Sequence, residues 1–119
     1  MEAIIMELVE KAKSDIEKQP EDEVLYQIFP DMKRRINYSQ RVVEIEVALP
    51  GVGKDQIMLK VLPTWFNLIA RRGQMQYAAN SAFGAEVIPE KTQAKYDNGL
   101  LTIVAHIKNP LDSATEISL

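Results

Sequence analysis

The sequence predicts an all-β sandwich preceded by one amphipathic helix. From Met32 onward, apolar and polar residues alternate with a period of two, as expected of strands with one buried face. These short runs are separated by turn residues, including several glycines and prolines. Before Pro20, apolar residues instead recur at helical spacing. A chain of 119 residues is long enough for one domain with a sizeable core.

The composition excludes several classes of protein. With 46% apolar and 26% charged residues, the chain has the balance of an ordinary soluble globular protein. No apolar run approaches the ~20 residues of a membrane-spanning helix, and the acidic N-terminus does not fit a signal peptide. Without cysteine and with a single histidine, disulfides and thiol catalysis are excluded, and no zinc site is expected. These absences predict a cytoplasmic protein.

Charge is unevenly distributed along the chain. Residues 1–30 hold eight acidic and three basic side chains, whereas residues 31–119 have a net charge of +2. No basic stripe indicates nucleic-acid binding, and the isoelectric point of about 5.2 argues against it. We expect two arginine pairs to be solvated or ion-paired strand residues. They are Arg34-Arg35 and Arg71-Arg72.

The first segment has the pattern of an amphipathic helix that ends near Pro20. Its apolar residues recur at i, i+3 and i+4, with charged residues between them. An isolated helix of this length is marginal in water, so its apolar stripe must pack against something. The pattern leaves two possibilities open, namely its own domain or another protein surface. The stripe consists of Ile4, Ile5, Leu8, Val9, Ala12 and Ile16.

The remaining chain is expected to form a series of short strands. In the clearest of them, Val43, Ile45, Val47 and Leu49 share a buried face. Residues 24–30 form an apolar bridge before the strands, and residues 74–82 are predicted to be an irregular loop. The predicted strands are 32–38, 43–49, 57–62, 65–71, 83–88 (ended by Pro89), 93–97 and 101–108.

One glycine-containing segment could suggest a nucleotide site, but it is better explained as a turn. Gly51-Val52-Gly53-Lys54 superficially fits a phosphate loop, but Ala48 replaces the required first glycine. Asp55 replaces the hydroxyl residue that ligates Mg²⁺, so we predict a turn here and no nucleotide site.

His106 falls on the outer face of its strand, away from Leu101. No serine and acid stand at a spacing that indicates a catalytic triad with it. The chain is therefore not expected to be an enzyme or to need a cofactor.

A hairpin signal near the C-terminus is the most specific motif in the chain. Asn98-Gly99 favours a type I′ turn, because both residues tolerate positive φ, and apolar runs flank it. Together with a Leu-Pro-Gly turn after the clearest strand, the pattern Ala-x-x-x-Asn-Gly-x-Leu resembles the signature of the small heat-shock proteins, the α-crystallin family. The resemblance covers roughly residues 31–119. It is carried by Pro50, Gly51, Ala94, Asn98, Gly99 and Leu101.

The resemblance implies an immunoglobulin-like β-sandwich, the α-crystallin domain, at residues 31–109. Residues 1–30 would be an N-terminal arm, and residues 110–119 a short C-terminal extension. The implied function is ATP-independent chaperoning in the stress response, in which partly unfolded client proteins are held so that they do not aggregate. The implied assembly is a homo-oligomer built from dimers. In this family an arm contacts clients or other subunits, which here implicates Ile4, Ile5, Leu8, Val9 and Ile16.

The chain ends in Ile117-Ser118-Leu119, whose two aliphatic side chains share one side of an extended segment. This tail resembles the Ile-x-Ile anchor of small heat-shock proteins, which docks between two strands of a neighbouring subunit. A frayed end, or a last strand on its own domain, is the alternative. By the same resemblance, the receiving groove would lie between strand 57–62 and residues 93–96. Its expected residues are Met58, Leu62, Ala94 and Tyr96.

One segment departs from the family pattern. Only ten residues lie between Arg72 and Phe83, where microbial members usually carry a longer loop with a strand that swaps into the partner. Ten residues span at most ~33–36 Å, which is too short for a swapped strand and its return. We therefore predict that residues 73–82 form no long swapped strand, so a dimer needs a smaller or different contact. The short loop favours an alternative function, a p23-like co-chaperone or adaptor that binds one folded partner without large assembly.

Overall fold

The structure, a computed structural model, describes Val24 and residues 26–119. The predicted N-terminal helix lies outside the described residues. Within them, eight strands form two four-stranded sheets around one apolar core, which confirms the all-β prediction. Sheet A has the order β1-β6-β5-β4, and sheet B has the order β2-β3-β8-β7. The strands are β1 (Tyr26–Ile28), β2 (Met32–Asn37), β3 (Val42–Ala48), β4 (Ile57–Val61), β5 (Trp65–Arg72), β6 (Met75–Ala82), β7 (Val87–Asp97) and β8 (Leu100–Ile107).

Sheet B is antiparallel throughout and follows the predicted alternation. Val43, Ile45 and Val47 of β3 are buried and lie opposite inward-facing residues of β8, while the residues between them are partly exposed. On β8, Leu101 and its inward neighbours are buried and His106 is exposed, as the alternation predicts. On the outer face, the Arg35 guanidinium lies 2.9 Å from the Glu44 carboxylate and 2.7 Å from that of Glu46, so this arginine is ion-paired as expected.

Sheet A supplies the other half of the core. β5 buries every second residue, including Phe66 and Leu68, and its other face points outward. The ring of Phe66 packs against that of Phe83, with centroids 5.3 Å apart and planes tilted by 48°. Aromatic pairs in tilted geometry contribute roughly 0.5–1.5 kcal/mol beyond the area they bury.

The prediction of an irregular loop at residues 74–82 is wrong. These residues form β6, which pairs with β5 along its whole length, from Met75 opposite Arg72 to Ala82 opposite Trp65. Tyr77 and Ala79 face the core. Alanines and small polar residues occupy both faces of this strand, so the difference between buried and exposed positions is weak in the sequence.

The prediction of a strand at residues 83–88, ended by Pro89, is also wrong. Phe83 is buried before a bend, and β7 then runs unbroken from Val87 to Asp97 with Pro89 inside it. The ladder to β8 is interrupted between Ile88 and Gln93, so the proline removes no ladder hydrogen bond there. Proline is tolerated at such a bulge on an edge strand.

The apolar bridge at residues 24–30 contains a strand that the sequence did not predict. β1 pairs in parallel with β6, from Tyr26 opposite Met75 to Ile28 opposite Tyr77. All three of its residues are exposed, whereas Pro30, just after it, is fully buried. Thus β1 covers the edge of β6 through its backbone, and Pro30 holds the chain where it crosses to sheet B.

The hairpin between β7 and β8 has the predicted turn. Asn98 and Gly99 both have positive φ, at 49° and 78°. The turn lies against the Leu-Pro-Gly turn, because the Leu49 N–H donates to the Gly99 carbonyl over 2.7 Å. A Cβ on Gly99 would lie 3.3 Å from the Pro50 Cα. Glycine is therefore required at this position by its backbone angle and by the approach of the second turn.

Substitutions in the hairpin test this placement. Leu101 is 3% exposed, so Leu101→Ala should lower the free energy of unfolding by about 2–5 kcal/mol through lost contacts and a cavity. Gly99→Val should also destabilise the fold, because a β-branched residue is strained at positive φ. Urea unfolding followed by circular dichroism measures both. Leu100→Ala is the matched control, since Leu100 is 40% exposed and should cost less than Leu101. Equal effects at Leu100 and Leu101 would show that the strand is placed wrongly.

Candidate functional site

The candidate site is an apolar groove between the edges of the two sheets. Strand β4 ends sheet A, and β7 ends sheet B on the same side of the sandwich. Within the described part of the chain, β4 pairs with β5 and β7 pairs with β8, so each strand has one side without a partner strand. Backbone groups on such edges can pair with an additional extended strand.

The groove is lined by aliphatic and aromatic side chains from both edges. Its volume is about 200 Å³. An apolar cavity of roughly 150 Å³ is enough to hold a benzene molecule, so the groove has room for an aliphatic side chain. Ile57 and Leu59 are only half-buried, which leaves apolar surface available to a ligand. The lining residues are Lys54, Ile57, Leu59, Ala94, Tyr96 and Leu101.

Tyr96 is fixed by hydrogen bonds to the neighbouring turn. Its hydroxyl oxygen lies 2.7 Å from the Leu49 carbonyl oxygen and 2.8 Å from that of Val52. A tyrosine hydroxyl has one proton, so the two carbonyls share a single donor. The ring cannot swing into the groove without breaking this contact. Tyr96 therefore gives the groove a fixed wall.

The structure brings together only part of the predicted groove. Ala94 and Tyr96 line it, but Met58 and Leu62 do not. Met58 lies on the outer face of sheet A and is 53% exposed. Leu62 follows the end of β4, where its N–H donates to the Trp65 carbonyl over 2.8 Å. The β4 contribution comes instead from Ile57 and Leu59, which the sequence had placed on the opposite, core-facing side of the strand.

The predicted anchor residues are accessible in this chain. After β8, a short 3-10 turn spans Pro110–Ser113, and the Asn109 side chain caps it by accepting from the Leu111 N–H over 3.1 Å. Ile117 is 73% exposed and the terminal Leu119 is fully exposed. The tail is therefore not seated in the groove of its own domain.

The other predicted positions fall into two groups. The signature residues Pro50, Gly51, Asn98 and Gly99 lie in the two turns that pack together beside the groove. The arm residues Ile4, Ile5, Leu8, Val9 and Ile16 lie outside the described residues. Within Val24 and residues 26–119, no three metal-binding side chains cluster, and no helix is long and apolar enough to cross a membrane.

Sequence reasoning missed Lys54, Ile57 and Leu59 as groove residues. The alternation identified the apolar face of β4, but it assigned that face entirely to the core. No local sequence signal distinguishes them from fully buried residues, because an edge position depends on the order of strands in the sheet. Edge strands leave core-facing residues incompletely covered.

Removing the Tyr96 hydroxyl tests whether its hydrogen bonds fix this wall of the groove. Tyr96→Phe keeps the ring but leaves two partly buried carbonyls without their donor, so the free energy of unfolding should fall by roughly 0.5–1.5 kcal/mol. Urea unfolding measures the change. Tyr38→Phe is the matched control, because Tyr38 is 69% exposed and should change stability by less than ~0.5 kcal/mol. Equal stability of the wild type and Tyr96→Phe would contradict the assigned role.

Comparison with solved structures identifies the fold of this sandwich. No protein-family model matches the sequence, and no curated protein matches it. Solved structures do: heat shock protein 16.0 from Schizosaccharomyces pombe has 17% identity and a TM-score of 0.60, over 77% of this chain and 98% of that chain. A mutant of hsp14.1 from Sulfolobus solfataricus P2 has 13% identity and a TM-score of 0.61, over 98% and 97%. A small heat-shock protein from Xylella fastidiosa has 13% identity and a TM-score of 0.60, over 78% and 95%. The chain therefore has the β-sandwich fold of the small heat-shock proteins.

Proposed function

We propose that this protein is an ATP-independent chaperone that holds partly unfolded proteins and prevents their aggregation. The observation that carries the proposal is the apolar groove between two unpaired sheet edges, in a sandwich of the small heat-shock-protein fold. The same chain carries an exposed tail with two aliphatic side chains. Groove and tail together supply both halves of a self-assembly contact.

The tail is proposed to dock in the groove of a neighbouring subunit. As an extended strand, residues 117–119 would pair with an edge backbone while Ile117 and Leu119 insert side by side. The exposure of Ile117 and Leu119 on their own chain favours a neighbouring groove over the same one. Leu101 lies in the groove and Ile107 ends β8 six residues later, so the tail leaves the sandwich about 20 Å from the groove.

The proposed chaperone activity requires no cofactor and no catalytic residue. Unfolding proteins expose apolar surface, and a partner that covers this surface keeps them from aggregating. We assign client and subunit contacts to the apolar stripe of the N-terminal arm, at residues 1–30. The α-crystallin domain at 31–109 would supply the scaffold, and the extension at 110–119 the link between dimers. The proposed location is the cytoplasm.

A second candidate is a p23-like co-chaperone or adaptor that binds one folded partner without forming a large assembly. One observation favours it. Strand β6 pairs with β5 of its own chain along its whole length, and β1 of the same chain pairs with residues 75–77 on its other edge. Pairing with β5 within one chain argues against exchange of this strand with a partner subunit. Native mass measured by light scattering separates the candidates, because a large oligomer supports the chaperone, and a monomer or dimer supports the adaptor.

Substituting the tail tests the assembly contact. Burying each aliphatic side chain contributes roughly 1.5–3 kcal/mol per contact, so the double variant Ile117→Ser, Leu119→Ser should dissociate the oligomer into small units. Leu111→Ser is the matched control, because Leu111 is 75% exposed in the same extension but lies outside the Ile-x-Leu pair. Light scattering gives native mass, and circular dichroism checks that the sandwich remains folded. An unchanged native mass in the double variant would count decisively against the anchor.

Client protection tests the activity itself. A heat-labile protein is warmed with and without this protein, in buffer without ATP, and aggregation is followed by turbidity. We expect turbidity to fall as the ratio of chaperone to client rises, with no further change when ATP is added. Serum albumin at the same concentration is the control for non-specific crowding. Turbidity that matches the albumin control at every ratio would overturn the chaperone assignment.

A further inference from the structure

The outer face of sheet A carries an apolar row that crosses three strands. Met58, Ile69 and Ala78 are register neighbours on β4, β5 and β6. Next to them lies an amide row, where the Asn67 side chain donates to that of Asn80 over 2.6 Å. Trp65 follows on the same face of β5 and is 40% exposed, while Met58 is 53% exposed. An indole and a methionine side chain thus lie on an uncovered sheet face.

The outer face of sheet B has a different character. Arg35 bridges Glu44 and Glu46 there, and Lys33 and Lys95 lie in the register row that contains Glu46. Such charged rows are well solvated and need no cover. Leu100 is the large apolar side chain exposed there, at 40%, so the exposed apolar surface of sheet A, with Trp65 and Met58, is the larger of the two.

The net charges of sheet A and of the N-terminal segment indicate which part of the chain would bind this face. Residues 54–82, which build β4, β5 and β6, contain four basic side chains and one acidic side chain. Residues 1–23 contain eight acidic and three basic side chains around an apolar stripe. The two segments therefore carry opposite net charge, and each presents apolar residues. Electrostatic complementarity of this kind selects partners and sets their orientation.

The position of β1 indicates where the acidic segment starts. Gln27 of β1 lies opposite Gln76 of β6, and Gln76 lies opposite Arg71 of β5, so β1 is the edge strand of sheet A and Arg71 lies two strands away in the same register row. Val24, two residues before β1, directly follows Glu21-Asp22-Glu23. Residues 1–23 are therefore connected to the chain at this edge of sheet A.

We propose that residues 1–23 dock on the outer face of sheet A of their own chain. The apolar stripe covers the Met58–Ile69–Ala78 row and Trp65, and the acidic residues face Lys60 and Arg71. A helix over residues 4–16 would be about 20 Å long, and four strands span roughly 14 Å between the two edges, so the dimensions match. Covalent connection to β1 favours the same chain over a second copy.

Engineered cysteines test the docking directly, because the natural chain contains none. In the full chain, Leu8→Cys with Met58→Cys should form a disulfide under mild oxidation, seen as a faster-migrating monomer on a non-reducing gel. Leu8→Cys with Lys95→Cys is the matched control, since Lys95 lies on the outer face of sheet B, and it should remain reduced. Disulfide-linked dimers from the first pair would show that a second copy occupies the face, and would overturn the same-chain proposal. Equal reaction of both pairs, or of neither, would also overturn it.

Trp65 gives a second readout that needs no cysteine, because it is the single tryptophan. Acrylamide quenching of its fluorescence should be weak in the wild-type chain and stronger in Leu8→Ser, which disrupts the stripe. Lys13→Ser, on the polar side of the segment, should leave quenching unchanged. Dilution should also leave the wild-type value unchanged if the contact is within one chain. Equal quenching in Leu8→Ser and the wild type would contradict the docking, whether or not the protein protects clients.

Discussion

The contact between the Leu-Pro-Gly turn and the Asn-Gly turn fixes the end of the sandwich that borders the groove. The Leu49 N–H donates to the Gly99 carbonyl over 2.7 Å, which joins the end of β3 to the β7–β8 hairpin. The Tyr96 hydroxyl then ties β7 to the carbonyls of Leu49 and Val52. Glycine is favoured at position 99 by its φ of +78° and by the Pro50 Cα, which would lie 3.3 Å from a Cβ there. This junction lies within sheet B, and the Tyr96 bond to the Val52 carbonyl also fixes the start of the connection that leads from β3 to β4 of sheet A. Both motifs thus shape the end of sheet B that borders the groove.

Most of the sandwich could be predicted because the central strands bury one face. Alternation identified β3 and β8, where large aliphatic residues face the core and polar ones face outward. It failed at β6, where Ala78 and Ala79 point to opposite faces with similar side chains. It failed again at β7, where Pro89 suggested an end. A bulge on an edge strand accommodates that proline, and an edge position cannot be seen in a local pattern.

The groove was only half predictable, for a related physical reason. A period of two shows that Ile57 and Met58 lie on opposite faces of β4, but it does not show which face borders the groove. At the margin of a sandwich, the inward faces of the last strands line the gap between the sheets. Ile57 and Leu59 therefore wall the groove, whereas Met58 belongs to the outer face of sheet A. Ala94 and Tyr96 were expected because the family resemblance places the groove beside residues 93–96.

The edges of the two sheets are protected to different degrees, and this difference directs strand addition. β1 occupies one edge of β6. On β7, the irregularity between Ile88 and Gln93 disrupts any long regular ladder, as bulges do on edges that must not aggregate. Regular edge backbone remains at residues 93–97, beside the groove. On β7, an incoming strand can therefore pair continuously only over these few residues, where apolar side chains can also insert into the groove. A short segment with two aliphatic residues on one side suits that stretch of edge better than a long unfolded strand.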